Sequence, residues 1–272
     1  MKINYSQSNL QTYIACPRKF ELKYILKRVW PAIQSEPILQ LEDLMRQGNQ
    51  FHLMVQQYFS SVDPDLISQQ IKNNSLKNWW NSFLAFSNQI SDYTNQSEIN
   101  ISANLDGKRI IGVFDLLSYS NNGRFIIIDW KTNQHKPPKK FLEQQIQTRL
   151  YPLLLTLSGQ QWNKNERISP SQIEMIYWFS NDPEFPESFL YSEQQHEQDK
   201  EYFTQLINQI ETTKIGEFPL TTNEKLCNFC QYRSLCNRGI KPGQFDEQLV
   251  DLEYIFEEIS DFDINQIGEI AF

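Results

Sequence analysis

Between Gly112 and Lys131 the chain reads GVFDLLSYSNNGRFIIIDWK, two apolar arms around a turn, each arm carrying one carboxylate. Ile110, Ile111, Val113, Phe114, Leu116 and Leu117 surround Asp115, and Phe125, Ile126, Ile127 and Ile128 lead into Asp129. Asn121, Asn122 and Gly123 tolerate positive φ, so the segment predicts a β-hairpin. An unpaired charge buried in such strands is costly, so both acids need a partner, and a divalent cation suits two of them.

Register narrows the prediction. With a loop of Asn121–Gly123 and a left-handed Gly123, Ser120 pairs with Arg124 and Asp115 falls opposite Asp129. Directly opposed side chains have Cβ atoms roughly 4.5–5.5 Å apart, close enough to share one ion. Alternation puts Lys131 on the face of Asp129 and turns Trp130 away. A tighter Asn-Gly turn would set Asp115 against Trp130, so a shared ion requires the longer loop or a bulge.

At 272 residues, with 40% hydrophobic and 13% aromatic residues, the chain can bury a sizeable core as one large domain or a domain with an insertion. No apolar run approaches the roughly 18 residues of a membrane span. The opening MKINYSQSNLQTYIACP has no signal-peptide apolar region, so the expectation is a cytoplasmic protein with no membrane partner. The net charge of −8 is uneven: Gln244–Phe272 holds nine acidic residues and no Lys or Arg, which leaves residues 1–243 at +1. Charge therefore neither supports nor excludes a nucleic-acid substrate. The division expected is a catalytic region over 1–243 and an acidic tail over 244–272. Leu249, Leu252, Phe256, Ile259 and Phe262 can give that tail one apolar helical face. Such a helix either packs on the domain or covers a nucleic-acid groove or basic partner.

Cys227, Cys230 and Cys236 form C-x2-C-x5-C, with Cys16 far upstream. In a cytosolic setting this favours a metal or cluster over disulfides. Ser6 or Ser8 caps a predicted helix with Leu10, Tyr13 and Ile14 on one face, and Cys16-Pro17 breaks or restarts it. A helix over about 39–59 carries Gly48 and His52, four apart on one face. Residues 60–100 are expected to be a helical insertion, with Ser87–Asn100 as a polar connector. Trp79-Trp80 reads as core more readily than as a base-stacking pair. A strand over 99–105 turns at Asp106-Gly107 into the strand of Asp115. One long helix over about 138–158 carries Gln147 and Tyr151, again four apart, and Gly159 stops it. Ile173–Phe179 reads as a strand and Glu193–Ile210 as a helix.

Five patterns now stand in order: C-P-x-x-F from Cys16, G-x-x-x-H from Gly48, Asp115 followed by D-x-K at Asp129–Lys131, Q-x-x-x-Y from Gln147, and the C-x2-C-x5-C cluster. Together they resemble the PD-(D/E)xK nuclease superfamily, in its RecB-like branch with an iron–sulfur cluster, as in AddB-type helicase–nucleases and CRISPR-associated nucleases. The resemblance covers about residues 5–240. It implies an α/β, restriction-endonuclease-like fold: a central mixed β-sheet flanked by helices, with the 60–100 insertion and a clasp of Cys16 with 227–236.

Asp115 and Asp129 are hard oxygen ligands suited to Mg²⁺ or Mn²⁺. The resemblance adds His52 and the Trp130 carbonyl as ligands, with Gln147 and Tyr151 positioning substrate phosphate or water. Lys131 would orient the attacking water and stabilise charge on the phosphate. Four thiolates suit a [4Fe–4S] cluster on Cys16, Cys227, Cys230 and Cys236; a Cys₄ zinc site is the structural alternative. Arg18, Lys19, Arg233 and Arg238 flank those cysteines and could contact phosphates.

The activity implied is metal-dependent hydrolysis of DNA, single-stranded and attacked from an end, in repair, recombination or CRISPR-type processing. No Walker phosphate loop is present, so any helicase would be a separate chain. The rivals are a cluster-stabilised DNA-binding subunit without turnover, and an assembly protein recruiting a motor or integrase-like partner.

Overall fold

The structure, a computed structural model, describes residues 3–28, 36–133, 135–228 and 230–239. The acidic tail and its expected helix lie outside the described residues. In chain order come β1 (Tyr5–Ser6), α1 (Gln7–Ala15), α2 (Pro17–Phe20), α3 (Glu36–Phe59), α4 (Pro64–Gln69), α5 (Asn74–Ser87), β2 (Thr94–Leu105) and β3 (Lys108–Tyr119). There follow β4 (Phe125–Lys131), α6 (Lys139–Glu143), α7 (Ile146–Ser158), β5 (Ile173–Phe179), β6 (Glu187–Leu190) and α8 (Glu193–Thr212). The chain divides into two compact units, Met1–Gln7 with Asp43–Thr212, and Ser8–Glu42 with Thr213–Phe272.

The first unit is an α/β fold around a mixed sheet ordered β1-β3-β4-β5-β6, with β2 also paired to β3. β1–β3 and β4–β5 are parallel, and β2–β3, β3–β4 and β5–β6 antiparallel. The hairpin loop is the longer one: Ser120 N–H donates to the Arg124 carbonyl at 3.1 Å, and Gly123 has φ 81°. That conformation suits glycine, which has no Cβ to clash. β3 shares one edge between two partners, β1 at Ile110–Ile111 and β4 at Leu116–Tyr119.

Alternation along β4 divides its side chains. Ile126, Ile128 and Trp130 pack into an apolar cluster with Phe51, Trp79, Trp80, Phe83, Phe86 and Trp178. The tryptophan pair is therefore core: Trp80 is fully buried, with Nε1 donating to Ser68 Oγ at 2.8 Å, and Trp79 Nε1 donates to Asn181 Oδ1 at 3.0 Å. Burying rings of this size is the largest apolar contribution in the unit. Asp129 and Lys131 take the other face, toward α7.

Three expectations need correction. Thr94–Asn100, read as connector, is the first half of β2 and pairs with Val113–Tyr119 at every position except Glu98 and Asp115. The helices of the insertion end by Ile90. The expected 138–158 helix is two helices, parted where Gln145 turns extended (ψ 143°). No Gly or Pro marks that break; it buries Leu142, Ile146 and Gln147 together. Ile14 is 44% exposed rather than sharing the buried face of Leu10 and Tyr13. β6 was not anticipated at all.

The second unit is made of short pieces. Cys16, extended at φ −159° and ψ 101°, separates α1 from α2, as Pro17 dictates. Phe20 stacks on Phe218 at 6.2 Å and meets Tyr13 edge-on at 5.5 Å. The carboxylate of Glu21, fully buried, accepts from Arg18 and from the Gly216 N–H. The Arg18 N–H donates to the Pro219 carbonyl at 3.0 Å and Tyr232 Oη to the Arg28 carbonyl at 2.9 Å, tying the two stretches of chain together.

Candidate active site

The hairpin ladder stops one step short of the two acids. Continued past Leu116–Ile128, the register would set Asp115 against Asp129, as the longer loop predicts. Instead, the N–H of Trp130 donates to Asp115 Oδ2 at 2.9 Å, so the side chain of Asp115 takes the place of a strand partner. Phe114 packs its ring on Tyr151 of α7, while Leu116 joins the opposite apolar cluster. Residues two apart on a regular strand share a face, so the alternation of β3 resets at Asp115. Its cross-strand neighbour on β2, Glu98, adopts φ 53°, an uncommon conformation for a non-glycine residue.

That reset gathers a triad. His52, Glu98 and Asp115 each offer a ligand atom, all within 4.8 Å of one another. His52 comes from α3, where Gly48 lies one turn earlier; a Cβ on Gly48 would come within 2.8 Å of the Thr132 hydroxyl. The glycine thus lets the helix approach the end of β4, as its spacing from the histidine suggests. The His52 ring lies between two partners, with Nδ1 3.4 Å from Asp115 Oδ2 and Nε2 3.0 Å from the Trp130 carbonyl.

Electrostatics follow from this crowding. Burial alone would lower the pKa of His52, but Asp115, with Asp129 and Glu98 behind it, carries it up to about 9. Burial and the charge of Asp115 push Glu98 up to about 7, against the pull of His52. Burial would raise Asp115 as well; His52, the Trp130 N–H and Lys131 outweigh it and hold that carboxyl below its ordinary range. Without a cation, the triad is a proton-sharing cluster.

Beside it, Lys131 Nζ lies 2.8 Å from Asp129 Oδ2 and donates to Gln147 Oε1 at 2.9 Å. The Gln147 amide in turn donates to Asp129 Oδ1, closing a ring of three side chains. Asp129, Lys131 and Gln147 are 5%, 6% and 5% exposed, so the ring is oriented by burial as well as by bonding. The break before α7 sets Gln147 in the first turn of that helix, facing β4. Tyr151, one turn on, is buried with its ring 4.9 Å from Phe114.

Of the expected residues, His52, Asp115, Asp129, Lys131, Gln147 and the Trp130 backbone come together at one end of β4. Glu98 was missed. Its segment is rich in Asn, Gln and Ser, and the one available signal was its distance from the Asp106-Gly107 turn, which places it across from Asp115. In the second unit, Cys16, Cys227, Cys230 and Cys236 are half-buried thiols lining one small cavity with Lys19 and Arg238. Burial pushes Cys227 and Cys236 up; Cys16 adds to this at both, and Arg238 opposes it at Cys227. Among the described residues, no three cysteine sulfurs lie within 4.8 Å of one another.

Residues 4–237 match the family model described as the PD-(D/E)XK nuclease superfamily. No curated protein matches the sequence. A solved structure from Eubacterium rectale, provisionally described as an exonuclease, aligns over 89% of this chain and 91% of its own, with TM-score 0.51 and 11% identity. At that identity the likeness concerns the fold. The crystal structure of SSO0001 aligns over 88% of this chain and 87% of its own, with TM-score 0.40 and 14% identity.

Proposed function

The chain belongs to the PD-(D/E)XK nuclease superfamily, and from that premise we propose that it hydrolyses DNA phosphodiester bonds with Mg²⁺ or Mn²⁺ held by His52, Glu98, Asp115 and Asp129. The observation that carries this is the buried Asp129–Lys131–Gln147 ring set beside a triad with metal-ligand spacing. The donor set fits a hard divalent cation: carboxylate oxygens, one imidazole nitrogen and the Trp130 carbonyl beside it. A cation bound there supplies Lewis acidity, polarising a phosphoryl oxygen and lowering the pKa of a bound water.

The residues of the chain do the rest. Asp129 and Gln147 hold Lys131 extended and charged, so its ammonium can orient a water for in-line attack and meet the charge growing on the phosphate. Gln147 fixes Asp129 in turn, leaving little freedom to lose on reaching the reactive geometry. His52 bridges Asp115 and the Trp130 backbone and keeps the ligand set together.

The finer reading is a single-stranded DNA exonuclease of the RecB-like branch, acting in repair, recombination or CRISPR-type processing. The order of motifs supports it, and so does the description carried by the Eubacterium rectale neighbour. Cys16, Cys227, Cys230 and Cys236 would hold a [4Fe–4S] cluster. Their shared cavity supports this, as does the order of motifs.

The test uses anaerobically purified protein with iron and sulfide quantified. Labelled single- and double-stranded DNA are incubated with Mn²⁺ or Mg²⁺, with Asp129→Ala and Lys131→Ala as controls. Metal-dependent cleavage lost in both variants is expected; cleavage that survives either one would remove the hairpin from the chemistry.

A further inference from the structure

Lys131 is held by more than its two hydrogen-bonding partners. Its ammonium also stands 5.1 Å over the centre of the Tyr177 ring, within the roughly 6 Å at which a cation feels the negative face of an aromatic. Strand register makes this contact. β4 and β5 run parallel with Asp129 opposite Tyr177, so alternation puts Tyr177 on the face that carries Asp129 and Lys131. Met175 and Phe179, two residues to either side, share that face and are as deeply buried.

The ring has little freedom of its own. Tyr177 is fully buried, and Phe189 of β6 meets it nearly at right angles with centroids 5.9 Å apart. Its hydroxyl lies 2.8 Å from Thr148 Oγ1. Thr148 has one hydroxyl proton and donates it to the Leu142 carbonyl at 2.5 Å, so Tyr177 is the donor in that pair. Leu142 belongs to α6, and Thr148 to the first turn of α7, next to Gln147. The break between those helices therefore orients both the amide that accepts from Lys131 and the ring beneath its ammonium.

A ring suits this place better than a second carboxylate. Lys131 is 6% exposed, so its charge has lost most of its water and needs compensation. Asp129 supplies a full negative charge, and another carboxylate would compete with a phosphate for the ammonium. The π face of Tyr177 attracts the cation without neutralising it, and offers no lone pair to claim its N–H donors. The charge stays available for a negative group arriving at the site. The attraction also weakens once the ammonium leaves its place over the ring, so one conformation of a flexible four-carbon stem is selected.

We infer that Tyr177 is a positioning residue for Lys131: its ring face holds the ammonium in its working place, while Asp129 and Gln147 set its direction. The effect on turnover rests on the nuclease reading; the contact between ring and ammonium does not. The experiment compares the intact unaltered chain with Tyr177→Leu, with Tyr177→Phe, and with the same Phe substitution made using phenylalanines that bear one, two or three ring fluorines. Fluorine withdraws charge from the ring face and leaves its shape nearly unchanged, so this series decides the matter even if Tyr177→Leu does not fold. Steady-state cleavage of single-stranded DNA gives kcat and KM, and calorimetry gives Mn²⁺ affinity. Independently of any cleavage, NMR of isotope-labelled lysine ε-methylenes reads the ring current at Lys131, whose signal is identified by its loss in Lys131→Ala.

Tyr177→Leu should lower kcat about tenfold or more with KM and Mn²⁺ affinity unchanged, and should abolish the upfield shift of the Lys131 signal. Tyr177→Phe, which keeps the ring and loses the bond to Thr148, should retain that shift and most of kcat. Each added fluorine should lower kcat further. A kcat that stays flat across the fluorinated series would overturn the inference. So would a Tyr177→Phe loss as large as that of Tyr177→Leu, which would assign the effect to the hydroxyl, or a Lys131 signal with no upfield shift. If the unaltered chain cuts no DNA while the Lys131 signal is shifted upfield by the ring, the nuclease reading falls and the ring–ammonium assignment stands. If DNA is cut and neither kcat nor the Lys131 signal responds to the ring, the inference falls and the nuclease reading stands.

Discussion

The two units are held together by different means. The first buries a continuous ring cluster, in which Phe83 alone meets Phe51, Tyr58, Phe59, Trp80 and Trp130. The second has short helical turns, a trio of Tyr13, Phe20 and Phe218, one buried Glu21 and four thiols around a cavity. A body built on packing keeps its shape without a ligand. One with fewer buried rings among its described residues would, on the reading proposed above, draw part of its folding energy from a group held by its cysteines. The proposed catalytic groups lie on the first body and the proposed cluster ligands on the second, so activity and cofactor-dependent stability should separate experimentally.

Four measurements bear on that separation, from the largest effect downward. Lys131→Ala or Asp129→Ala should lower the cleavage rate by about 10³-fold or more, as loss of a preorganised electrostatic group does. If the second unit holds the proposed cluster, its iron content should not change, and an equal loss of iron would dissolve the contrast. Phe83→Ala should destabilise the first unit by roughly 3–5 kcal/mol in denaturant unfolding, with the absorbance of the proposed cluster unaltered until that transition. Cys227→Ser should lower one calorimetric transition by about 4–8 °C and leave the other in place; a single shared shift would mean that the units melt as one.

The smallest effect concerns protons. In the metal-free site, His52 titrates near 9 and Glu98 near 7, so both hold protons that a cation must displace. Affinity for Mn²⁺ should therefore rise with pH up to about 9, most steeply below about 7 where both groups still hold their protons, by up to roughly tenfold per unit for each proton released. Glu98→Gln removes one of those protons and should flatten the lower half of that curve, as followed by metal titration at fixed ionic strength. For the metal-free protein the sign is opposite. Both pKa values are raised by folding, so the stability they contribute is complete at low pH. Glu98 gives up its share as pH climbs from its unfolded value through about 7, and His52 gives up its share as pH climbs through about 9.

The hairpin was legible because its constraints agree: apolar arms, a glycine that can go left-handed, and acids that need partners. β5 and α8 were legible for a similar reason, since burial on β5 and one apolar face on α8 leave a strong period. The segments that escaped are edges. β2 and β6 each pair on one side only: Thr94–Asn100 is polar but for Ile99, and Glu187–Leu190 is only four residues long with Phe189 and Leu190 adjacent, so neither carries an alternation to read. Glu98 went unseen for that reason, being on the polar half of an edge strand. The break between α6 and α7 escaped for a different one. E-Q-Q-I-Q favours helix throughout, and only tertiary burial of Leu142 and Ile146 interrupts it. Of the site, the sequence therefore displayed the groups on central elements and hid the one contributed by the rim.

Trp130 joins two demands in a single residue. Its ring is wedged among Phe83, Phe86 and Trp178, while its N–H holds Asp115 and its carbonyl meets His52. The backbone that aligns the ligands cannot reach its position until the ring has found its socket. Substitutions that loosen the ring's socket should therefore also displace the backbone groups that hold Asp115 and His52. In the proposed nuclease, this ties activity to the integrity of the core.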